Sequence, residues 1–176
     1  MENAPKKGEE IKISKEITDM FDRMVFALRA PNYFSGNEIA ERVMLKEYDI
    51  ILAEDASGRL PGLLMYKAME KFYKENDTEN KLGLFFLAGS KNANNKNEKK
   101  EKILDYLKNE ISKHHNSDKR ILLVSDVIME GKSLIPLVES LKELNIQYDI
   151  LTLGLGRSIR YANFENQVYI LKKRTW

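Results

Sequence analysis

The sequence contains no cysteine. Disulfides, thiolate metal sites and a cysteine nucleophile are therefore excluded. Histidine is almost missing too, because the only two, His114 and His115, are adjacent. That excludes the usual multi-histidine metal centres. The pair falls at the end of a predicted helix, where the helix dipole favours cations, and reads as structural rather than catalytic or metal-binding. No apolar run approaches the roughly 20 residues that a membrane span requires. The opening MENAPKKGEEIK has no apolar core and does not read as a secretory signal. A cytoplasmic location, without membrane partners, is the expectation. A dominant charge is absent as well. Lys plus Arg number 29 against 27 Asp plus Glu, a net charge of +2 over 176 residues. Nucleic acid is therefore a disfavoured partner on bulk charge.

What remains is a globular composition, 43% hydrophobic and 32% charged, of a size that supports one proper core. Residues 1–13 read as a polar tail and 14–176 as a single domain. Over residues 14–29, Ile17, Met20, Phe21, Met24, Val25 and Leu28 recur at helical spacing. Ser35 and Glu38 have capping-box spacing and predict a second helix to about Lys46. The period then changes. Residues 48–53, 82–87, 120–126 and 148–153 are apolar runs read as buried strands, with a short fifth at 167–171. Helical patterns separate the first four: 60–73, a stretch through Ile103, Leu107 and Ile111, and one through Leu134, Leu137 and Leu141. Strands alternating with helices predict an α/β, three-layer sandwich on a mainly parallel sheet. The Asn- and Lys-rich residues 89–100 read as a loop. Its lysines read as a solvated face, with an RNA contact as the alternative. The apolar face of residues 15–29 exceeds what one small domain is expected to cover, which leaves a homodimer open.

In such a sheet, ligands bind where strand ends meet helix starts. Two loops carry suitable residues. The first is Asp55-Ala56-Ser57-Gly58-Arg59, where small residues allow close approach and Arg59 suits a phosphate. A plain tight turn, with Arg59 paired to Glu54 or Asp55, accounts for the same residues. The second runs from Ser125 and Asp126 through Met129, Glu130, Gly131 and Lys132 to Ser133. It brings an acid, a glycine, a lysine and a hydroxyl to a helix start. An ordinary strand-to-helix turn is the competing reading. Neither loop has the glycine spacing of a Walker A or dinucleotide-binding motif.

The second loop resembles the phosphoribosyl-pyrophosphate (PRPP) motif of type I phosphoribosyltransferases. That motif is an apolar strand, two acids, three variable residues, then Thr-Gly-x-Thr before a helix. Asp126 matches the second acid, Gly131 the glycine and Ser133 the final hydroxyl, without a gap. The resemblance implies a phosphoribosyltransferase-like fold with the N-terminal helices as a hood. It implies PRPP and a nucleobase as partners, Mg2+ as cofactor, and transfer of phosphoribose to a nitrogenous base with release of pyrophosphate. Asp126, with Ser125 beside it, would bind the ribose hydroxyls and the metal. Met129, Glu130, Gly131, Lys132 and Ser133 would hold the 5-phosphate. Asp55, Ser57, Gly58 and Arg59 would hold the pyrophosphate, and residues 89–100 would form a mobile loop over the site.

Two residues depart from the pattern. Ser125 stands at the first acid and Glu130 at the first threonine. A carboxylate about 5 Å from a phosphate is repelled by roughly 3 kcal/mol per charge at an effective dielectric of about 20. These departures carry the alternative of a nucleotide- or PRPP-binding regulatory protein that has lost transfer chemistry.

Overall fold

A computed structural model describes residues 14–29, 38–54, 58–78, 81–87, 96–128, 134–155 and 168–170. The aliphatic runs become strands β1 (Tyr48–Glu54), β2 (Gly83–Leu87), β3 (Arg120–Ile128), β4 (Tyr148–Leu155) and β5 (Val168–Ile170). All pair in parallel, in the order β2-β1-β3-β4-β5. The helices are α1 (Lys15–Arg29), α2 (Glu38–Met44), α3 (Arg59–Glu75), α4 (Lys96–Asn109) and α5 (Ile135–Glu143). Three of them run into a left-handed residue, Lys46 after α2, Asp77 after α3 and Asn145 after α5, which stops the helix.

The sheet is covered on both faces, so its central strands can be aliphatic throughout. One face packs Ile51, Ala53, Leu122, Val124 and Leu151 against α1, α2 and α3. The other packs Leu52, Leu123 and Ile150 against Ile103 and Leu107 of α4 and Leu137 and Leu141 of α5. This is the three-layer α/β sandwich that the alternation of runs predicts. The helices expected as a hood, α1 and α2, lie in the layer of α3 on the first face. Met24, Val25 and Leu28 of α1 are buried there, while Ile17, Met20 and Phe21 of the same face are half-buried. Among the described residues, no helix is long and apolar enough to cross a membrane.

Three expectations change. Residues 96–100 are the first turn of α4 rather than loop. Lys and Glu are good helix formers, Glu98 pairs with Lys102 one turn on at 2.6 Å, and Lys100 reaches Glu143 of α5 at 2.7 Å. Strand β2 is half-buried along its whole length rather than buried, because it is an edge strand. Strand β3 continues two residues beyond Asp126, because Val127 and Ile128 pair with Gly154 and Leu155 of β4. The Ser35 capping box, residues 89–95 and the C-terminal residues after Ile170 lie outside the described residues.

Candidate functional site

The direction of the chain reverses across the sheet between β1 and β3. From β1 the chain goes to its neighbour β2 on one side, then returns to place β3 on the other. The helix after β1, α3, and the helix after β3, α5, lie on opposite faces of the sheet, the arrangement that opens a crevice at the carboxyl edge. In open α/β sheets that crevice is where ligands bind. The described residues that bound the two loops singled out in the sequence, Glu54 and Gly58 on one side and Asp126 on the other, lie at that edge.

On the β1 side, the strand ends at Glu54 and α3 begins at Arg59. The Gly58 N–H donates to the Glu54 carbonyl at 3.0 Å, and the Gly58 carbonyl accepts the first helical bond, from Gly62, at 2.8 Å. A Cβ on Gly58 would lie 2.6 Å from the Val124 carbonyl oxygen and 2.8 Å from the Glu54 nitrogen. Glycine is thus required here by the protein's own backbone, since the turn is pressed onto β1 and β3. Gly58 spends its N–H on that turn, and Pro61 has none to offer. Arg59 is exposed, with its guanidinium 5.1 Å from the centroid of the Phe86 ring on β2. Asp55 and Ser57 lie outside the described residues.

On the β3 side, the apolar run gives way to Ser125 and Asp126. The strand overhangs β1, whose last pairing with it is Ala53 beside Val124. Ser125 is buried, and its hydroxyl donates to the Glu54 carboxylate at 3.3 Å. Asp126 is half-buried, and Thr152 of β4 donates its hydroxyl to the Asp126 carbonyl at 2.9 Å. Successive side chains alternate between faces, so Asp126 follows Leu122 and Val124 toward the α3 layer. Ser125 follows Leu123 toward the α5 layer. Met129, Glu130, Gly131, Lys132 and Ser133 lie outside the described residues, between Ile128 and the start of α5.

Glu54 was not singled out in the sequence. The register shows why it belongs here. Leu52 stands beside Leu123, which stands beside Ile150; two residues on, the same row reads Glu54, Ser125 and Thr152. Three strands thus turn from aliphatic to polar at one level. Aligning the ends of the apolar runs would have exposed that row.

The opposite edge of the sheet holds a structural ion network. Asp149, fully buried, accepts from Arg42 at 2.5 Å, from the Tyr48 hydroxyl at 2.8 Å and from Arg120 at 2.7 Å. Burial first, and then the Asp149 charge, push the Tyr48 phenol far above its ordinary pKa. Burial opposes the charge of Arg42, yet the bond to Asp149 and the charge of Asp149 together outweigh it and raise the pKa. Burial and a bond to Glu38 push Tyr169 up to about 12. His115 belongs to this edge as well, with Nδ1 2.9 Å from Asp49, which also accepts from the Asn116 N–H. The histidines are thus remote from the crevice. A groove of about 1090 Å³ along α3, lined by Lys67, Lys71, Lys74 and Lys81, also lies toward this edge rather than at the strand ends.

No family model matches the sequence, and no curated protein does. Solved structures do. Hypoxanthine-guanine phosphoribosyltransferase from Schistosoma mansoni, in complex with IMP, superposes with a TM-score of 0.53 at 13% identity. The match covers 88% of this chain and 62% of that enzyme. The fold is that of a type I phosphoribosyltransferase. Two further structures align more loosely. A purine phosphoribosyltransferase from Pyrococcus horikoshii Ot3 gives a TM-score of 0.45 at 16% identity, covering 89% of this chain and 90% of its own. A hypothetical protein from Neisseria gonorrhoeae with bound ppGpp gives 0.42 at 12% identity, covering 78% and 66%. The phosphoribosyltransferase-like fold is what the likeness to the S. mansoni enzyme establishes.

Proposed function

We propose that the chain binds PRPP, or a phosphoribosyl nucleotide, in the crevice between β1 and β3. It transfers phosphoribose to a nitrogenous base and releases pyrophosphate. The observation that carries this reading is the packing of the Glu54–Gly58 turn on Val124, two residues before Asp126, at the switch point of a phosphoribosyltransferase-like sheet. The S. mansoni enzyme shares the fold and is in complex with IMP, a phosphoribosyl nucleotide.

In this reading Asp126 accepts from a ribose hydroxyl, and Gly131, Lys132 and Ser133 would bind the 5-phosphate. Ser57 and Arg59 would bind the pyrophosphate, and Gly58 allows the close turn between β1 and α3. Asp126 is also a hard oxygen donor of the kind magnesium takes. Among the described residues, no group of three or more His, Cys, Asp or Glu side chains is placed to hold a metal. Magnesium would therefore arrive on the diphosphate, with Asp126 as a protein ligand. Bound there, it neutralises charge on the leaving group. At the anomeric carbon the bond to pyrophosphate oxygen breaks and a bond to the base nitrogen forms.

A second reading is ligand binding without transfer, favoured by the serine at position 125 where the motif has an acid. Pyrophosphate release, measured with PRPP, magnesium and a panel of purine and pyrimidine bases, separates the two. Release with one class of base supports transfer. Saturable PRPP binding with no release from any base supports the second reading. Neither binding nor release refutes both.

A further inference from the structure

We infer that Glu54 supplies, from β1, the ribose-binding carboxylate that β3 lacks at position 125, and that Ser125 is its positioning residue. The inference rests on the phosphoribosyl reading of the crevice and adds to it a residue and a selectivity. Three observations carry it.

The first is placement. Glu54 stands one step beyond the Ala53–Val124 pair, on the same face as Ser125. Its carboxylate oxygen lies 3.3 Å from the Ser125 hydroxyl. An anionic oxygen is therefore already present beside the place where an acidic side chain at 125 would end. A second carboxylate there would meet a like charge at close range, which accounts for the serine.

The second is fixity. The Glu54 backbone is held by the bond from Gly58 and by the close packing of Gly58 on Glu54 and Val124. Ser125 is only 2% exposed, so water has little access to compete for its hydroxyl.

The third is remaining capacity. A carboxylate offers about four acceptor positions, and among the described residues the donor to it is Ser125. The rest suit a pair of neighbouring hydroxyls. Glu54 lies toward the α5 layer and Asp126 toward the α3 layer, so the two acids flank the β3 overhang. The ligand class is a ribosyl 5-phosphate with its 2,3-diol intact, selected over the 2-deoxy sugar.

The test is calorimetric titration of the full chain with ribose 5-phosphate and with 2-deoxyribose 5-phosphate. Thermal melts confirm that each variant is folded. Wild type is expected to prefer the ribose ligand by on the order of tenfold, the scale of one hydrogen bond to a charged group. Glu54→Gln is expected to lose that preference and Ser125→Ala to reduce it. The exchange Glu54→Ser with Ser125→Asp, which moves the acid to the other strand, is expected to restore it. A folded Glu54→Gln or Ser125→Ala protein that keeps the full preference overturns the inference and leaves the proposed function standing. Wild type that binds neither sugar phosphate, or both equally, overturns the inference, while the proposed function is judged by PRPP binding.

Discussion

Gly58→Ala tests the packing that shapes the crevice. The new methyl would lie 2.6 Å from the Val124 oxygen, 2.8 Å from the Glu54 nitrogen and 3.0 Å from the Glu54 oxygen. All three are backbone atoms of central strands and cannot rotate away. Overpacking of this kind costs about 1–3 kcal/mol. An opposing gain exists, because Gly58 has φ −87° and ψ −9°, which alanine adopts freely. Restricting the unfolded chain then returns about 0.4–1 kcal/mol. The net expectation is a loss of about 1–2 kcal/mol. For a domain of this length that lowers Tm by about 3–6 °C. Gly83→Ala is the control, since its methyl would lie 2.7 Å from the outer edge of the Phe85 ring, on the edge strand. That ring can turn aside, so its loss should be smaller. Urea unfolding of both variants, compared at unchanged m value, reads the difference. Gly58→Ala as stable as wild type, or no less stable than Gly83→Ala, would refute the reasoning.

Further outcomes follow from the opposite edge. Asp149→Ala strips a buried network of the acceptor shared by Arg42, Arg120 and Tyr48, and should cost about 3–5 kcal/mol in denaturant unfolding; a loss under about 1 kcal/mol would show the network to be idle. The raised pKa of Tyr48 makes a signed prediction. Below the ordinary tyrosine value of about 10 its contribution is fully present. Above it the unfolded chain loses the proton while the folded chain keeps it, so stability falls with rising pH at about 1.4 kcal/mol per unit. Tyr48→Phe should remove that slope from stability curves taken above pH 10, and parallel curves for the two proteins would contradict the assignment. His115→Ala should lower stability by about 1–2 kcal/mol through the loss of its bond to Asp49, with PRPP affinity unchanged; a weakened affinity would place the histidine in the site after all.

Much of the architecture was legible because the central strands are buried on both faces. Runs such as Ile50–Ala53 and Ile121–Val124 have no polar face to alternate with, and strands of that kind belong to covered parallel sheets. Of the candidate site, Ser125, Asp126 and Gly58 were singled out from the ends of runs and the small residues beside them. Glu54 was missed because nothing local marks it, and its relation to Ser125 exists only once β1 and β3 lie side by side. The buried Asp149 was hidden for the same reason, since its two arginines come from 107 and 29 residues away. Residues 96–100 were misread because asparagine and lysine together suggest a loop. The long-range pair of Lys100 with Glu143 is invisible to composition.

The central claim is that the β1–β3 crevice is a PRPP site. Calorimetric titration of PRPP into the full chain, with and without magnesium and beside Asp126→Ala, tests it most directly. The account predicts saturable binding by wild type that weakens strongly without magnesium and in the folded Asp126→Ala variant. No binding at millimolar PRPP, or binding that Asp126→Ala leaves unchanged, would contradict it.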